Sequence, residues 1–205
     1  MKFIGIVGRT VSENARGYER YEGRLVHWNL VGLWEENAVT DGKIKDDYKN
    51  HASYSFDTGK RHNNTRHTFI IIDKKAYTIP NGLADGAVIF FPVLKDLTAS
   101  QLGGTVIKGN NLHNYDYDGQ FSGCQYWCKT VIKVLANNGY IEVNAPRKLD
   151  TVIAAVRAAK DNGQEKYVVP DDKGTFYRRS TAKAKAKSGS EWEVFDMDQP
   201  VTRKR

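Results

Sequence analysis

The sequence predicts an α+β fold in which a small, mostly antiparallel sheet packs against one cysteine-bearing helix. Strand-like segments with alternating or continuous apolar residues fill the first half of the chain, and amphipathic helical patterns follow in the second half. The 205 residues are 40% hydrophobic and 11% aromatic, which is globular composition for one domain with a core. No internal repeat or second domain is evident.

The strand pattern is clearest in residues 24–34, where Val26, Trp28 and Leu30 share one face and His27 lies on the other. A continuous apolar run predicts that the strand at 66–73 is buried on both faces. Pro92 either ends the last strand or places it at a sheet edge. The predicted strands cover residues 2–11, 24–34, 52–58, 66–73 and 87–93.

The best-defined helix is predicted for residues 125–138. Cys124, Cys128, Val131 and Leu135 form one apolar stripe, and Gly139 supplies the C-terminal stop.

Three further elements are predicted with weaker signals. A helix over 150–163 has Asp150 as its N-cap and Gly163 as its stop. A short helix from Thr98 to Leu102 is expected to end at the Gly103-Gly104 pair, and residues 166–177 are expected to form a hairpin.

We expect residues 1–177 to form a single domain and residues 178–205 a basic, mobile tail. The tail holds eight Lys or Arg and four acidic residues, so +4 of the net charge of +7 lies there. Weak, salt-sensitive contact with polyanions is therefore expected from the tail. Its Trp192 and Phe195 offer an alternative, in which the segment 191–198 docks on the domain or on a partner.

The expected location is the cytoplasm, with the nucleus as the alternative. No apolar run approaches the roughly 20 residues that span a bilayer, and the N-terminus lacks a secretory apolar region. The two cysteines, Cys124 and Cys128, are then expected to be free thiols.

Cys124 is the candidate nucleophile. A thiol in the first turn of a helix lies at the positive end of the helix dipole, which stabilises the thiolate, and Gly123 leaves the sulfur approachable. The alternative is that Cys124, like Cys128, is a small buried residue of the core.

His27 is the candidate base, and Asp57 is the candidate residue that orients it. An imidazole is unusual in so apolar a strand, and taken alone such a residue is more often a core histidine bonded to a carbonyl or hydroxyl. With Cys124 it would form a pair that activates the thiol. Ser55 is the alternative orienting residue. The histidines and cysteines lack zinc-ligand spacing, so no metal or other cofactor is expected.

Three short motifs, "HW" at 27–28, "SYSFD" at 53–57 and "GCQYW" at 123–127, resemble a circularly permuted papain-like arrangement in which histidine precedes cysteine. The chain is similar to NlpC-type and lecithin:retinol acyltransferase-like thiol hydrolases. It resembles more closely an uncharacterised fungal family that shares "HW" and "GCxxW", over residues 3–141.

The resemblance implies that Cys124, His27 and Asp57 are catalytic. Two departures from the acyltransferase-like pattern stand out. Gly123 and Gln125 flank the cysteine, and Val39 occupies the position where a second histidine is usual.

These observations favour a thiol hydrolase or acyltransferase acting on an acyl, amide or isopeptide bond of a small or protein substrate. One alternative is a catalytically silent papain-like scaffold that binds a protein or small ligand. Another is a nucleic-acid binder that works through the tail, although the remaining 177 residues carry only +3.

Overall fold

A computed structural model describes residues 1–11, 24–34, 39–40, 43–44, 51–60, 68–77, 83–117, 123–179 and 192–195. Within these residues the chain is an α+β protein, as the sequence predicts, with Cys124 and Cys128 both in one helix.

The described strands form one main sheet, one small three-stranded sheet and two short pairs. They are β1 (Phe3–Thr10), β2 (Arg24–Leu33), β3 (Val39–Thr40), β4 (Lys43–Ile44), β5 (His51–Lys60), β6 (Thr68–Tyr77), β7 (Leu83–Pro92), β8 (Tyr115–Asp116), β9 (Lys160–Asp161), β10 (Gln164–Glu165), β11 (Tyr167–Val168), β12 (Thr175–Arg179) and β13 (Trp192–Phe195). The helices are α1 (Ala99–Gln101), α2 (Cys124–Asn137) and α3 (Ala145–Ala158), and a π-helical segment spans Leu102–Lys108. Among the described residues, no helix is long and apolar enough to cross a membrane.

The main sheet has the order β6-β5-β2-β1-β7, and every pair in that path is antiparallel. The short strand β11 adds to β2 in parallel, opposite Arg24 and Leu25. The predicted antiparallel sheet is therefore confirmed, with β2 at its centre.

The larger core cluster lies between one face of the sheet and α2. Trp28 and Leu30 from β2 are fully buried there with Trp127 and Val131 from α2. The Cys128 thiol donates a hydrogen bond of 3.6 Å to the carbonyl of Trp28. A smaller cluster on the opposite face consists of four buried side chains, Val7, Val31, Leu33 and Phe90. The even-numbered residues of β2 thus face the helix.

The strand predicted at 66–73 is not buried on both faces. It corresponds to β6, which forms an edge of the sheet, and its Ile71 and Ile72 are 42% and 52% exposed. An apolar run alone cannot distinguish a central strand from an edge strand, because position in the sheet depends on partners distant in sequence. Pro92 is the last residue of β7, the other edge.

The short helix begins as predicted but does not end at the two glycines. Thr98 and Gln101 form a reciprocal capping box. The chain then continues through Gly103 and Gly104 as a π-helix, in which the Gly109 N–H donates to the Gly104 carbonyl at 2.8 Å. Three side chains of this segment are buried, those of Leu102, Val106 and Ile107. Their burial outweighs the low helix propensity of the two glycines.

Helix α2 matches its prediction, and Gly139 follows it with φ of 68°. The prediction for the next helix was wrong at both ends. Helix α3 starts at Ala145, after Asn144 as its N-cap and with Pro146 in its first turn. Asp150 lies inside the helix, with its carboxylate 2.6 Å from Lys129 Nζ.

Gly163 is a hairpin residue and not the end of α3. Asn162 and Gly163 have φ of 52° and 83° and connect β9 to β10 as a two-residue turn. Positive φ at both positions is what a type I′ turn requires, and Asn-Gly is its preferred sequence.

The predicted hairpin at 166–177 is also wrong. Tyr167–Val168 pairs with β2, and Thr175–Arg179 pairs with β8 and β13. The backbone of Trp192–Phe195 therefore lies antiparallel to β12. The proposed boundary at residue 177 stays a prediction, which a deletion described below tests.

Candidate active site

The imidazole of His27 is bonded to the carboxylate of Asp57. His27 Nε2 donates to Asp57 Oδ1 at 2.7 Å, and the His27 residue is 8% exposed. The ladder between β2 and β5 ends at Leu30 and Phe56, although both strands continue beyond that pair. The hydrogen bond thus joins the two strands where their backbones are no longer paired.

Cys124, at the first position of α2, is the second partner of His27: its charge and a hydrogen-bonding interaction with it raise the pKa of the imidazole. Strict alternation along β2 would group His27 with Val31 and Leu33 on the face away from α2, so its interaction with Cys124 departs from that pattern. The thiol and the imidazole meet beside the unpaired ends of β2 and β5. All three residues that the sequence singled out, Cys124, His27 and Asp57, are therefore brought together.

The electrostatics of the cluster favour a protonated imidazole. Burial lowers the pKa of His27, but the negative charge of Cys124 and hydrogen bonds to Asp57 and Cys124 raise it more, to about 10 from 6.5. At neutral pH His27 is therefore an imidazolium, held between a sulfur and a carboxylate.

Arg9 is a further member of the cluster that sequence reasoning missed. It pairs with His27 across the β1–β2 ladder, and its guanidinium lies 3.6 Å from Asp57 Oδ2. Asp57 thus has a cationic neighbour on each oxygen. Only the strand register reveals this, because nothing near Arg9 in the sequence signals a site.

Tyr115 anchors the residue that precedes α2. It was not identified from the sequence as part of the site. Its hydroxyl donates to the Gly123 carbonyl at 2.8 Å and accepts from the Gly174 N–H at 2.9 Å. Burial raises the pKa of Tyr115 far above its ordinary value, so the phenol stays protonated. Tyr115 holds the residue directly before Cys124 in place.

Gly123 cannot be replaced easily at this position. Its φ is 137°, and a Cβ atom there would lie 2.4 Å from the Tyr115 hydroxyl oxygen. No side chain caps α2 at Gly123, so the N–H groups of its first turn have no capping partner from that residue. Cys124 is the first residue of α2, so these N–H groups lie in the same helical turn as the thiol.

Cys128 is a core residue. It is 1% exposed, and burial, followed by the charge of Cys124, raises its pKa well above the ordinary value. Cys124 is partly exposed. Of the two thiols, only Cys124 therefore combines access with an imidazole partner.

The remaining candidates do not join the cluster through a described contact. Ser55, the alternative orienting residue, lies opposite Val31 in the paired part of β5. Within the described part of the chain, no group of three or more histidine, cysteine or acidic side chains is arranged to hold a metal ion.

The fold and this cluster define an α+β protein in which one histidine, His27, interacts with both a cysteine and an aspartate. The chain belongs to the family described as a domain of unknown function, DUF7770, whose model matches residues 42–177. The matched segment contains Asp57 and Cys124, whereas His27 precedes it. No curated protein and no solved structure matches the chain.

Proposed function

We propose that the protein is a thiol hydrolase or acyltransferase with a circularly permuted papain-like site, acting on an acyl, amide or isopeptide bond. One observation carries the proposal. His27 bonds to Asp57 through Nε2 at 2.7 Å and also interacts with Cys124, which raises the pKa of the imidazole. A nucleophile, a base and a group that orients the base are the three parts that covalent thiol catalysis needs.

The protonation of the cluster defines the role of each residue. Asp57 holds Nε2, which leaves Nδ1 as the ring nitrogen for the sulfur. The pKa of about 10 places the proton on His27 at neutral pH. His27 is the group beside the sulfur that takes the thiol proton and then faces the nucleophile as an imidazolium.

The reaction then proceeds in two steps. The Cys124 thiolate attacks the carbonyl carbon, and the first N–H groups of α2 bind the oxyanion. His27 donates its proton to the leaving group as the carbon–leaving group bond breaks. Water, or an acceptor alcohol or amine, then attacks the thioester while His27 accepts its proton, and the Cys124 thiolate is released.

The order and placement of the residues support the papain-like relationship. The histidine comes from a strand that precedes the cysteine in sequence, and the cysteine opens a helix packed on that strand. These steps use only side chains and backbone of the chain itself. A reducing compartment, the cytoplasm or nucleus, keeps Cys124 in the thiol state that the reaction needs.

The test is turnover of chromogenic acyl substrates, a panel of p-nitrophenyl esters, thioesters and aminoacyl anilides, by the wild type and two variants. Cys124→Ser should abolish turnover and the covalent acyl adduct seen by mass spectrometry. Cys128→Ser is the matched control and should retain both.

Two results would contradict the enzyme proposal. One is the absence of an acyl adduct on Cys124 with every substrate, which would favour the silent scaffold. The other is equal turnover by Cys124→Ser, which would place the chemistry elsewhere.

A further inference from the structure

A polar pocket lies along α2, on a different face from the stripe that contains Cys124. Its volume is about 250 Å³. Gln125, Lys129 and Thr130 from α2 line one side, and Pro146 and Asp150 from the start of α3 line another. This volume is below the roughly 300–1,000 Å³ of most small-molecule sites, so it suits a group the size of one amino-acid residue.

Gln125 is the residue that points to a ligand. It is 5% exposed, it lines the pocket, and its Oε1 atom is buried without a hydrogen-bond partner in the structure. Leaving a buried acceptor unpaired is unfavourable, and most such groups in proteins are satisfied. A rotation of the side-chain amide toward the pocket would bring Oε1 within reach of an occupant that donates a hydrogen bond to it.

Several side chains that line the pocket with Gln125 are charged, and some of them form ion pairs. Lys129 Nζ pairs with Asp150 Oδ1 at 2.6 Å, which ties α2 to α3. Asp171 pairs with Arg157, and Lys173 lies 5.6 Å from the centre of the Tyr126 ring. Charges of both signs would be desolvated by an apolar occupant such as an acyl chain, so the pocket favours a polar one.

We propose that this pocket binds a small polar ligand with an amide N–H, which donates to Gln125 Oε1. The site is separate from the thiol centre and does not depend on the proposed catalytic function. Its recognition element is a neutral acceptor among charged side chains that also line the pocket, Lys129 and Asp150 among them.

The experiment uses two matched probes, N-acetyl-L-alanine N′-methylamide and its fully N-methylated counterpart, which lacks every N–H. Each is titrated into the full chain, and binding is followed by calorimetry in every variant and, where Gln125 is retained, also by NMR shifts of its side-chain amide. The wild type is compared with Gln125→Met, which removes the acceptor at similar volume, and with Gln125→Glu, which keeps an acceptor oxygen. Cys124→Ser is included as the variant of the thiol centre.

We expect the N–H probe to bind the wild type, Gln125→Glu and Cys124→Ser. Loss of the hydrogen bond should weaken binding about tenfold, both for the fully methylated probe and for Gln125→Met. Equal binding of the two probes to the wild type, or no binding of either, would overturn the proposal even if Gln125→Met failed to fold. Loss of binding in Cys124→Ser would overturn the separation of the two sites.

Discussion

The Tyr115 hydroxyl bonds to the carbonyl of Gly123, so that a side chain eight positions upstream holds the residue before the candidate nucleophile. The same hydroxyl accepts from the Gly174 N–H, which joins the start of α2 to the segment before β12. The hydroxyl of Tyr115 therefore holds the start of α2 in position. The first prediction follows from this arrangement.

Tyr115→Phe should slow alkylation of Cys124 and lower the free energy of unfolding by about 1–3 kcal/mol, because buried hydrogen-bonding groups lose their partner. The measurements are the iodoacetamide rate at pH 7 and chemical denaturation. Tyr167→Phe is the matched control, since its hydroxyl accepts from the Asp85 N–H at 3.0 Å away from Cys124. If both variants alkylate at the wild-type rate, Tyr115 does not position the thiol.

Cys124 should react with iodoacetamide below pH 7, and Cys128 should not. Cys124 is partly exposed and has the His27 imidazole as a partner, whereas Cys128 is buried and burial raises its pKa. Mass spectrometry of the labelled native protein locates the modified thiol, and labelling after unfolding shows that both can react. Equal labelling of the two thiols in the native protein would contradict the assignment of Cys124 as nucleophile.

The stability of the protein should fall as the pH rises from about 6.5 to about 10, through the contribution of His27. Its pKa is raised to about 10 in the folded protein, so the folded state keeps a proton that the unfolded state releases above about 6.5. The stabilisation is complete below the unfolded pKa and lost as pH passes the folded one. Denaturation of the wild type and of His27→Gln across this range measures the difference.

The difference in unfolding free energy between the wild type and His27→Gln should become steadily smaller as the pH increases. A gap that stays constant from pH 6 to 10 would show that His27 is not protonated in the folded state. The thiolate–imidazolium pair would then have to be abandoned, although a neutral histidine could still act as a general base.

Deletion of residues 178–205 should remove weak binding to RNA or DNA and leave the melting temperature unchanged. Five basic residues between 178 and 187 can pair with phosphates, and each contact steepens the salt dependence. Binding is measured at two salt concentrations. Deletion of residues 196–205 is the control, because it retains the strand Trp192–Phe195 opposite β12.

A melting temperature lowered by many degrees in the longer deletion alone would assign β13 to the fold. The domain boundary would then move beyond residue 177. Unchanged nucleic-acid binding in both deletions would rule out the tail as the polyanion site.

Elements defined by local pattern were predicted well. Helix α2 follows from its apolar stripe and from Gly139, and β2 follows from its alternating residues. These signals act between residues a few positions apart, so they can be read without knowledge of the partners. Elements that depend on remote partners were predicted poorly, as the exposed β6 and the early start of α3 show.

The residues of the candidate site also fall into two groups: those that local sequence identifies and those that depend on distant partners. The sequence by itself singled out Cys124 from its place at a helix start, and His27 from its presence in an apolar strand. It left Asp57 and Ser55 as alternatives, because a carboxylate can orient a histidine only when strand register brings the two together.

Tertiary structure decided the rest through contacts between distant segments. The end of the β2–β5 ladder lets His27 reach Asp57 and Cys124, β1 adds Arg9, and the segment before α2 adds Tyr115. Gln125, whose Oε1 is buried without a partner, lines a pocket to which residues of both α2 and α3 contribute. Sequence periodicity carries the local preferences of a segment, whereas the charge and hydrogen bonding of a buried group depend on which remote segments surround it.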